Sequence, residues 1–101
     1  MNLMQNQSAA ARLAAEQTLR TVRFYCAAPG AKTVQIAGDF NHWRPLNMQR
    51  SVDGWWSIQL EMRHGHHCYR FLVDGKHMVD PRAAGVARDE HNEPASLIAV
   101  S

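Results

Sequence analysis

One stretch decides the fold of this chain: Gly-His-His-Cys-Tyr-Arg-Phe-Leu-Val-Asp-Gly, residues 65–75. Its side chains alternate, with Tyr69 and Phe71 in one series and Arg70 and Leu72 in the other. This alternation is typical of a β-strand that buries one face. The stretch ends in Asp-Gly, a pair that adopts positive φ cheaply and therefore favours a hairpin turn. We expect a strand with Tyr69 and Phe71 in the core and Arg70 outside, followed by a tight turn.

The same pattern continues outward from this stretch. Between Arg82 and Pro94 the chain is polar and irregular, which predicts a loop. About seven short strands separated by turns are typical of an antiparallel β-sandwich, so we expect an all-β fold. The alternating runs are Val22–Cys26, Val34–Gly38, Leu46–Met48, Trp56–Leu60, Tyr69–Val73, a short strand between Gly75 and Asp80, and Leu97–Val100.

Residues 1–20 differ in kind from the rest, because they are rich in Ala and Gln and contain no aromatic residue, Gly or Pro. Ser8 could cap a helix that runs to Leu19. An isolated helix of that length is marginal in water. Two interpretations stay open: a tail or helix beside the domain, or a helix that docks on a partner protein or a second copy. We therefore divide the chain into an N-terminal segment, residues 1–20, and a sandwich domain, residues 21–101.

Composition excludes several classes of function. The chain has 101 residues and a formal net charge of +2, and its basic residues form no run. It is thus about one domain long and lacks the basic stripe of a nucleic-acid-binding protein. No apolar run approaches the roughly 20 residues of a membrane span, and the N-terminus lacks the pattern of a signal peptide. We expect a cytoplasmic protein in which Cys26 and Cys68 are reduced thiols.

The sequence contains no motif of an enzyme or of a cofactor site, neither a nucleophile elbow nor a phosphate-binding loop. His64, His66 and His67 are close in sequence, but strand alternation points the last two to opposite faces, and no further metal ligand is placed. Aspartates at predicted turns are expected to bond the backbone rather than to catalyse. We therefore expect no catalysis, no cofactor and no metal.

The three tryptophans have different expected positions. Trp56 falls in the alternating series of its strand and is expected in the core, which leaves Trp55 on the outside as an aromatic surface or a protein contact. Trp43 follows a polar turn and has no periodic partner. It could cover the edge of the sandwich, or it could offer its ring face to a pyranose while polar neighbours bond the hydroxyls. The residue pattern alone leaves both interpretations open.

Four motifs occur in a fixed order: Gly38–Trp43 (GDFNHW), Asp53–Trp56 (DGWW), Gly65–Gly75 and Asp80–Pro81. Together they resemble carbohydrate-binding module family 48. That family includes the glycogen-binding domain of the AMP-activated protein kinase β subunit and the N-terminal domains of isoamylases and branching enzymes. The resemblance covers about residues 21–100 and implies an immunoglobulin-like, early-set β-sandwich.

The resemblance also implies a set of sugar-binding residues. Trp43 stands at the position that stacks on glucose, and Arg70 stands at the position of a basic residue that bonds hydroxyls. Two positions depart from the family pattern: His77 replaces a second tryptophan, and Ala95 replaces a loop asparagine. Asn92 could substitute for that asparagine. Loss of a stacking indole costs on the order of 1–3 kcal/mol at such a site, so the departures predict weakened binding.

Two functions follow from these observations. The first is a non-catalytic module that binds an α-glucan such as glycogen, starch or a maltooligosaccharide, with Trp43, Arg70, His77 and Asn92 at the site. The second is a regulatory or scaffolding module that has lost its sugar site and binds a protein partner, with residues 1–20 as a contact.

Overall fold

The computed structural model describes residues 18–101, in which β-strands joined by turns and loops are the main regular structure. Two single-turn 3-10 helices, Asp39–Asn41 and Val52–Gly54, interrupt the strands, and no helix among the described residues is long and apolar enough to span a membrane. The expected all-β class is confirmed. In chain order the strands are β1 (Leu19–Ala27), β2 (Val34–Gly38), β3 (Leu46–Asn47), β4 (Gln49–Arg50), β5 (Trp55–Arg63), β6 (Gly65–Val73), β7 (Lys76–Met78), β8 (Gly85–Arg88) and β9 (Pro94–Val100).

The expected N-terminal helix or tail, residues 1–20, lies almost wholly outside the described residues. At its end the structure corrects the prediction, because Leu19 and Arg20 are the first residues of β1 and pair with Arg63 and Met62 of β5. A helix that runs to Leu19 is therefore wrong at that residue. The backbone groups there bond to a neighbouring strand instead.

The strands pair antiparallel in two sheets. The smaller sheet has the order β1-β5-β4, and the larger has the order β3-β2-β6-β9-β8, with β7 also paired to β6. One edge of β6 pairs with β2, from Tyr69 to Val73. The other edge pairs with β9 as far as Tyr69 and with β7 from Phe71 onward. Arg70 thus lies where this edge passes from β9 to β7, a junction that we call the fork.

Two strands were not expected. The predicted third strand at Leu46–Met48 is confirmed only at Leu46–Asn47, which form β3 and pair with β2. The unexpected β4 follows at Gln49–Arg50 and pairs with β5. Buried Met48 lies between β3 and β4 and donates its N–H to the oxygen of Val34 at 2.8 Å, so the chain crosses there from one sheet to the other. Strand β8 lies inside the predicted loop. It gives no alternation signal because its large apolar side chain, Val86, is 63% exposed.

The core lies between the inner faces of the two sheets. Ile36 and Phe71 of the larger sheet are completely buried, and Phe24 of the smaller sheet packs edge-on against Tyr69, with ring centroids 4.9 Å apart. Trp56 is buried and donates its ring N–H to a backbone oxygen at 3.1 Å. The predicted core positions of Tyr69, Phe71 and Trp56 are therefore confirmed.

Both Asp-Gly pairs take the left-handed backbone that the sequence predicts. The pair at 53–54 has φ values of 58° and 78°, and the pair at 74–75 has values of 50° and 82°. The carboxylate of Asp74 accepts the N–H groups of Lys32 and Thr33 at 2.8 and 2.9 Å. These backbone hydrogen bonds, Thr33 first, lower the pKa of Asp74. The turn after β6 is thereby fixed to the loop before β2.

Candidate functional site

The loop that carries Trp43 is built by its own short motif. Gly38 ends β2, and a side chain there would collide with Phe40, whose ring lies 2.1 Å from the position of a Cβ atom. The Asn41 side chain accepts the N–H of Gly38 at 3.0 Å and donates to the oxygen of Arg44 at 2.7 Å. Glycine and asparagine in this motif therefore fold the chain into a closed turn just before the tryptophan.

Trp43 and His42 both have a φ of 58°, in the left-handed region. A residue other than glycine in this region carries a conformational energy cost of order 1–3 kcal/mol. It adopts this backbone only where the surrounding structure imposes it. Here the N–H of Trp43 donates to the oxygen of Gly38 at 2.8 Å and closes the loop. The indole is half-buried. A strained loop that fixes one large aromatic ring is the first sign of a binding site.

The guanidinium of Arg70 lies over this indole. It faces away from the core between Tyr69 and Phe71, as predicted, and its guanidinium carbon lies 4.5 Å from the centroid of the Trp43 ring. A cation over an indole contributes about 0.5–2 kcal/mol, more when both groups are desolvated. Arg70 is only 8% exposed, and its Nε is buried without a hydrogen-bond partner among the described residues. The contacts show that Arg70 holds the indole; direct bonding to a sugar stays a prediction.

The other partner of Arg70 is Asp89, which the sequence did not predict. Arg70 Nη2 donates to Asp89 Oδ2 at 2.5 Å, and both side chains are largely buried. Asp89 Oδ1 accepts the N–H groups of His91 and Glu93 at 2.8 and 2.9 Å. The hydrogen bond from Arg70 and then those from the backbone lower the pKa of Asp89 to about 2. Turn-forming residues predict the bend, but no pattern indicates a partner 19 positions away.

His77 lies on the same outer face, one row from Arg70. It is exposed on β7 and pairs with Leu72 of β6. On the other side Leu72 pairs with Gln35, whose side-chain amide donates to Asn47 at 3.0 Å. A row of two amides, one apolar side chain and one imidazole therefore crosses the larger sheet beside Trp43 and Arg70. Gln35 and Asn47 were missed because a polar residue in an alternating strand predicts only solvent exposure.

The two remaining predicted positions lie around the Asp89 turn. Asn92 is exposed, has a φ of 62° and belongs to the same turn, since its N–H donates to the oxygen of Asp89 at 2.9 Å. Ala95 on β9 is completely buried, so nothing at this position reaches a ligand. The structure thus joins Trp43 to Arg70 directly. His77 is connected to this pair only through strand pairing with Leu72 of β6, and Asn92 only through the turn at Asp89, so their place at the site stays a prediction.

One histidine of the group around β6, His67, has a structural role. His67 Nδ1 lies 3.1 Å from Asp39 Oδ1, and its Nε2 lies 2.9 Å from the oxygen of Arg63. Asp39 Oδ2 also accepts the N–H of Cys68 at 3.0 Å. These bonds fasten the turn before Trp43 to β6. Within residues 18–101, no group of three or more His, Cys, Asp or Glu side chains is arranged to hold a metal ion.

Comparison with known proteins identifies related sequences. A family model described as the glycogen recognition site of AMP-activated protein kinase matches residues 22–101. The β-1 subunit of 5'-AMP-activated protein kinase from Sus scrofa is 42% identical over 52 residues, which are 52% of this chain and 42% of that protein. A 1,4-alpha-glucan branching enzyme from Lactobacillus acidophilus is 36% identical over 74 residues, 67% of this chain and 11% of the enzyme. The chain spans less than half the length of these curated relatives.

Solved structures share the fold. A candidate alpha amylase from Salmonella typhimurium matches 79% of this chain and 13% of its own, with a TM-score of 0.65 and 26% identity. The TM-score shows that the matched regions share one fold. The immunoglobulin-like, early-set sandwich expected from the sequence is confirmed.

Proposed function

The chain belongs to the family of glycogen recognition domains that AMP-activated protein kinase represents, and from this we propose that it is a non-catalytic module that binds α-glucans. Family membership makes it a carbohydrate-binding domain. The single observation that carries the specific site is the indole of Trp43, held on the outer face of the larger sheet by the Arg70 guanidinium 4.5 Å away.

The chemistry of this face suits a glucose ring. A pyranose has an apolar C–H face that stacks on an indole and an equator of hydroxyls that need hydrogen-bond partners. Beside Trp43, the amides of Gln35 and Asn47 and the ring of His77 offer both donors and acceptors. Leu72 supplies an apolar patch between them. A neutral ligand of this kind needs no excess of charge, in agreement with a net charge of only +2.

Arg70 is proposed to act mainly on Trp43. Its bond to Asp89 and its cation–π contact fix the guanidinium, so the indole is rigid before the sugar arrives. A rigid aromatic surface binds more tightly because less conformational entropy is lost on binding. The 8% of Arg70 that remains exposed limits any hydroxyl contact to the edge of the guanidinium.

The test is a calorimetric titration with maltoheptaose or β-cyclodextrin. We expect saturable binding by the wild-type protein and a tenfold to hundredfold weaker affinity in Trp43→Ala, about 1–3 kcal/mol of lost anchor energy. Trp43→Phe keeps an aromatic ring and should keep part of the affinity. Gln59→Ala, an exposed position on β5 in the opposite sheet, is the matched control. Equal affinities in all four proteins would show that Trp43 is not the platform.

A second function is favoured by the reduced set of sugar-binding groups on the face that carries Trp43. His77 stands in place of a second tryptophan, and Ala95 and Arg70 are buried, so Trp43 is the one indole on this face. In that case the domain is a regulatory or scaffolding module with a protein partner. A folded protein that ignores millimolar oligosaccharide, and that co-purifies with a stoichiometric partner lost when residues 1–17 are deleted, would support it. The deletion stops before Leu19 because that residue already pairs in β1.

The cytoplasm is the proposed compartment. Cys26 and Cys68 are both free thiols. Burial raises the pKa of Cys26 to about 11, so this thiol is protonated and unreactive at neutral pH. Two unpaired cysteines in a sandwich of this size fit a reducing environment.

A further inference from the structure

A second aromatic surface lies on the opposite side of the molecule. It is an open groove of about 390 Å³ lined by Tyr25, Ser51, Val52, Trp55 and Arg82. Tyr25 is 44% exposed although it is a large aromatic residue. The groove lies on the outer face of the smaller sheet, whereas Trp43 covers the outer face of the larger one. Nothing in the site described above uses these residues.

The two rings of the groove are placed by strand pairing. Tyr25 of β1 pairs with Ser57, and Ala27 pairs with Trp55, so Tyr25 and Trp55 are diagonal neighbours on one face. The N–H of Ser51 donates to the oxygen of Trp55 at 2.7 Å, which closes the turn that carries the groove wall. The alternation of β5 predicts that Trp55 faces outward. The structure agrees, because the next residue, Trp56, is buried and Trp55 pairs with exposed Ala27.

Arg82 completes the surface from a different part of the chain. Its guanidinium carbon lies 5.6 Å from the centroid of the Trp55 ring. Its backbone is held by Asp80, which accepts the N–H of Arg82 at 2.9 Å and the hydroxyl of Tyr69 at 2.6 Å. A guanidinium lies over an indole at three places among the described residues: Arg70 over Trp43, Arg82 over Trp55, and Arg50 over buried Trp56 at 4.9 Å. The first two contacts lie on the two outer faces of the sandwich.

We propose that this groove is a second glucan-binding surface, so that one module holds two glucan chains on opposite faces. The lining offers two aromatic rings, the hydroxyls of Tyr25 and Ser51 and a guanidinium, and it contains no carboxylate. This combination fits a neutral ring with apolar faces and hydroxyl edges. The volume is within the range of about 300–1,000 Å³ that is usual for small-ligand sites. The proposal takes its ligand class from the proposed function and its location from the groove alone.

The face that carries Trp43 and the groove at Tyr25 point in opposite directions, so they cannot both bind one short oligosaccharide. They bind two chains, or two branches of one polysaccharide, and the second contact then forms at a raised effective concentration. A branched glucan should therefore be retained more strongly than a short linear oligosaccharide by the intact protein. This advantage should disappear when either aromatic surface is removed.

The test is a backbone amide NMR titration with maltoheptaose on the whole chain, in the wild type, Trp43→Ala and Tyr25→Ser. Tyr25 is chosen because an exposed strand residue can be changed without removing core packing; Trp55→Ala is a second variant, and Tyr25→Phe is the conservative control. We expect shifts in two groups in the wild type: β2, β6 and β7 around Trp43, and residues 23–27, 51–57 and 82 around the groove. The groove shifts should persist in Trp43→Ala. In Tyr25→Ser or Trp55→Ala, the affinity measured from the groove shifts should be tenfold to a hundredfold weaker.

The outcomes separate the two proposals. Shifts confined to the Trp43 face would overturn the second surface and leave the proposed function intact. Shifts confined to the groove would support the second surface and remove Trp43 from the site, while an absence of shifts would overturn both. Groove shifts that depend on protein concentration without sugar would assign this face to a second copy and overturn the proposal. Stronger light scattering from glycogen with wild-type protein than with either single variant would support two simultaneous contacts.

Discussion

The carboxylate of Asp89 carries the one strong charge interaction of the Trp43 site, and it has a pH signature. The hydrogen bond from Arg70, followed by backbone N–H groups, lowers its pKa to about 2. An unfolded aspartate titrates near pH 4, at about 3.9. Ionised Asp89 therefore stabilises the fold above about pH 4, and this contribution is lost as the pH falls towards the folded-state pKa. Asp74, whose pKa is also lowered, acts with the same sign.

We expect the urea midpoint of unfolding to fall steeply between about pH 4 and pH 2 in the wild type. Asp89→Asn should be less stable at neutral pH, because it leaves the guanidinium of largely buried Arg70 without its carboxylate. Its midpoint should also fall less over the acid range. Parallel profiles for the two proteins would contradict the assignment of the acid transition to this ion pair.

His77 stands where the family pattern has a second tryptophan, and a single substitution can restore that tryptophan. It is exposed on β7 and shares the outer face with Leu72. His77→Trp restores an indole beside Trp43 at a position where no core packing is disturbed. We expect about tenfold tighter binding of maltoheptaose by calorimetry, with stability changed by less than about 0.5 kcal/mol. His77→Ala is the control, and a tryptophan that leaves affinity unchanged would place the sugar away from β7.

At the scale of elements, the two Asp-Gly turns offer a matched pair of substitutions. Gly54 and Gly75 have similar φ values, 78° and 82°, but a Cβ at Gly54 would lie 2.7 Å from the Pro29 side chain, whereas nothing lies within 4 Å at Gly75. Gly75→Ala should therefore cost only the left-handed penalty, roughly 1–2 kcal/mol. Gly54→Ala should cost a further 1–3 kcal/mol or so, from overpacking.

Urea unfolding of the two variants and the wild type measures this difference directly. Equal losses of stability would mean that Pro29 moves away at little cost and that the contact between these turns is soft. Since the 53–54 turn also leads into Trp55, a soft contact would predict a mobile wall for the groove around Tyr25.

Sequence patterns predicted the elements better than their ends. The alternation of residues 65–75 correctly placed Tyr69 and Phe71 inside and Arg70 outside, because burial of one face imposes a period of two. It missed β8, whose Val86 faces solvent, and it read the crossing at Met48 as a strand. Both errors arise from edges and crossings, where hydrogen bonding between strands, rather than burial, decides the structure.

At the scale of the whole molecule, the two sheets of the sandwich separate two aromatic surfaces, one on each outer face. Trp43 and the groove at Tyr25 face away from one another across a core that includes Phe24, Trp56 and Phe71. The motifs predicted the first surface through the family resemblance. The alternation of β5 predicted that Trp55 lies outside, but no pattern predicted the burial of Arg70 or the part that Arg82 takes in the groove. Asp89 and Arg82 reach those places from a stretch whose sequence is only polar and irregular.

The fork in the larger sheet ties the two surfaces to one piece of chain. Between β7 and β9 the chain leaves the edge of β6, sends Arg82 to Trp55 on one face, and then returns with Asp89 to Arg70 on the other. A single insertion or deletion in this excursion would therefore alter both surfaces at once. Relatives that differ in this segment are therefore expected to differ at both proposed surfaces together.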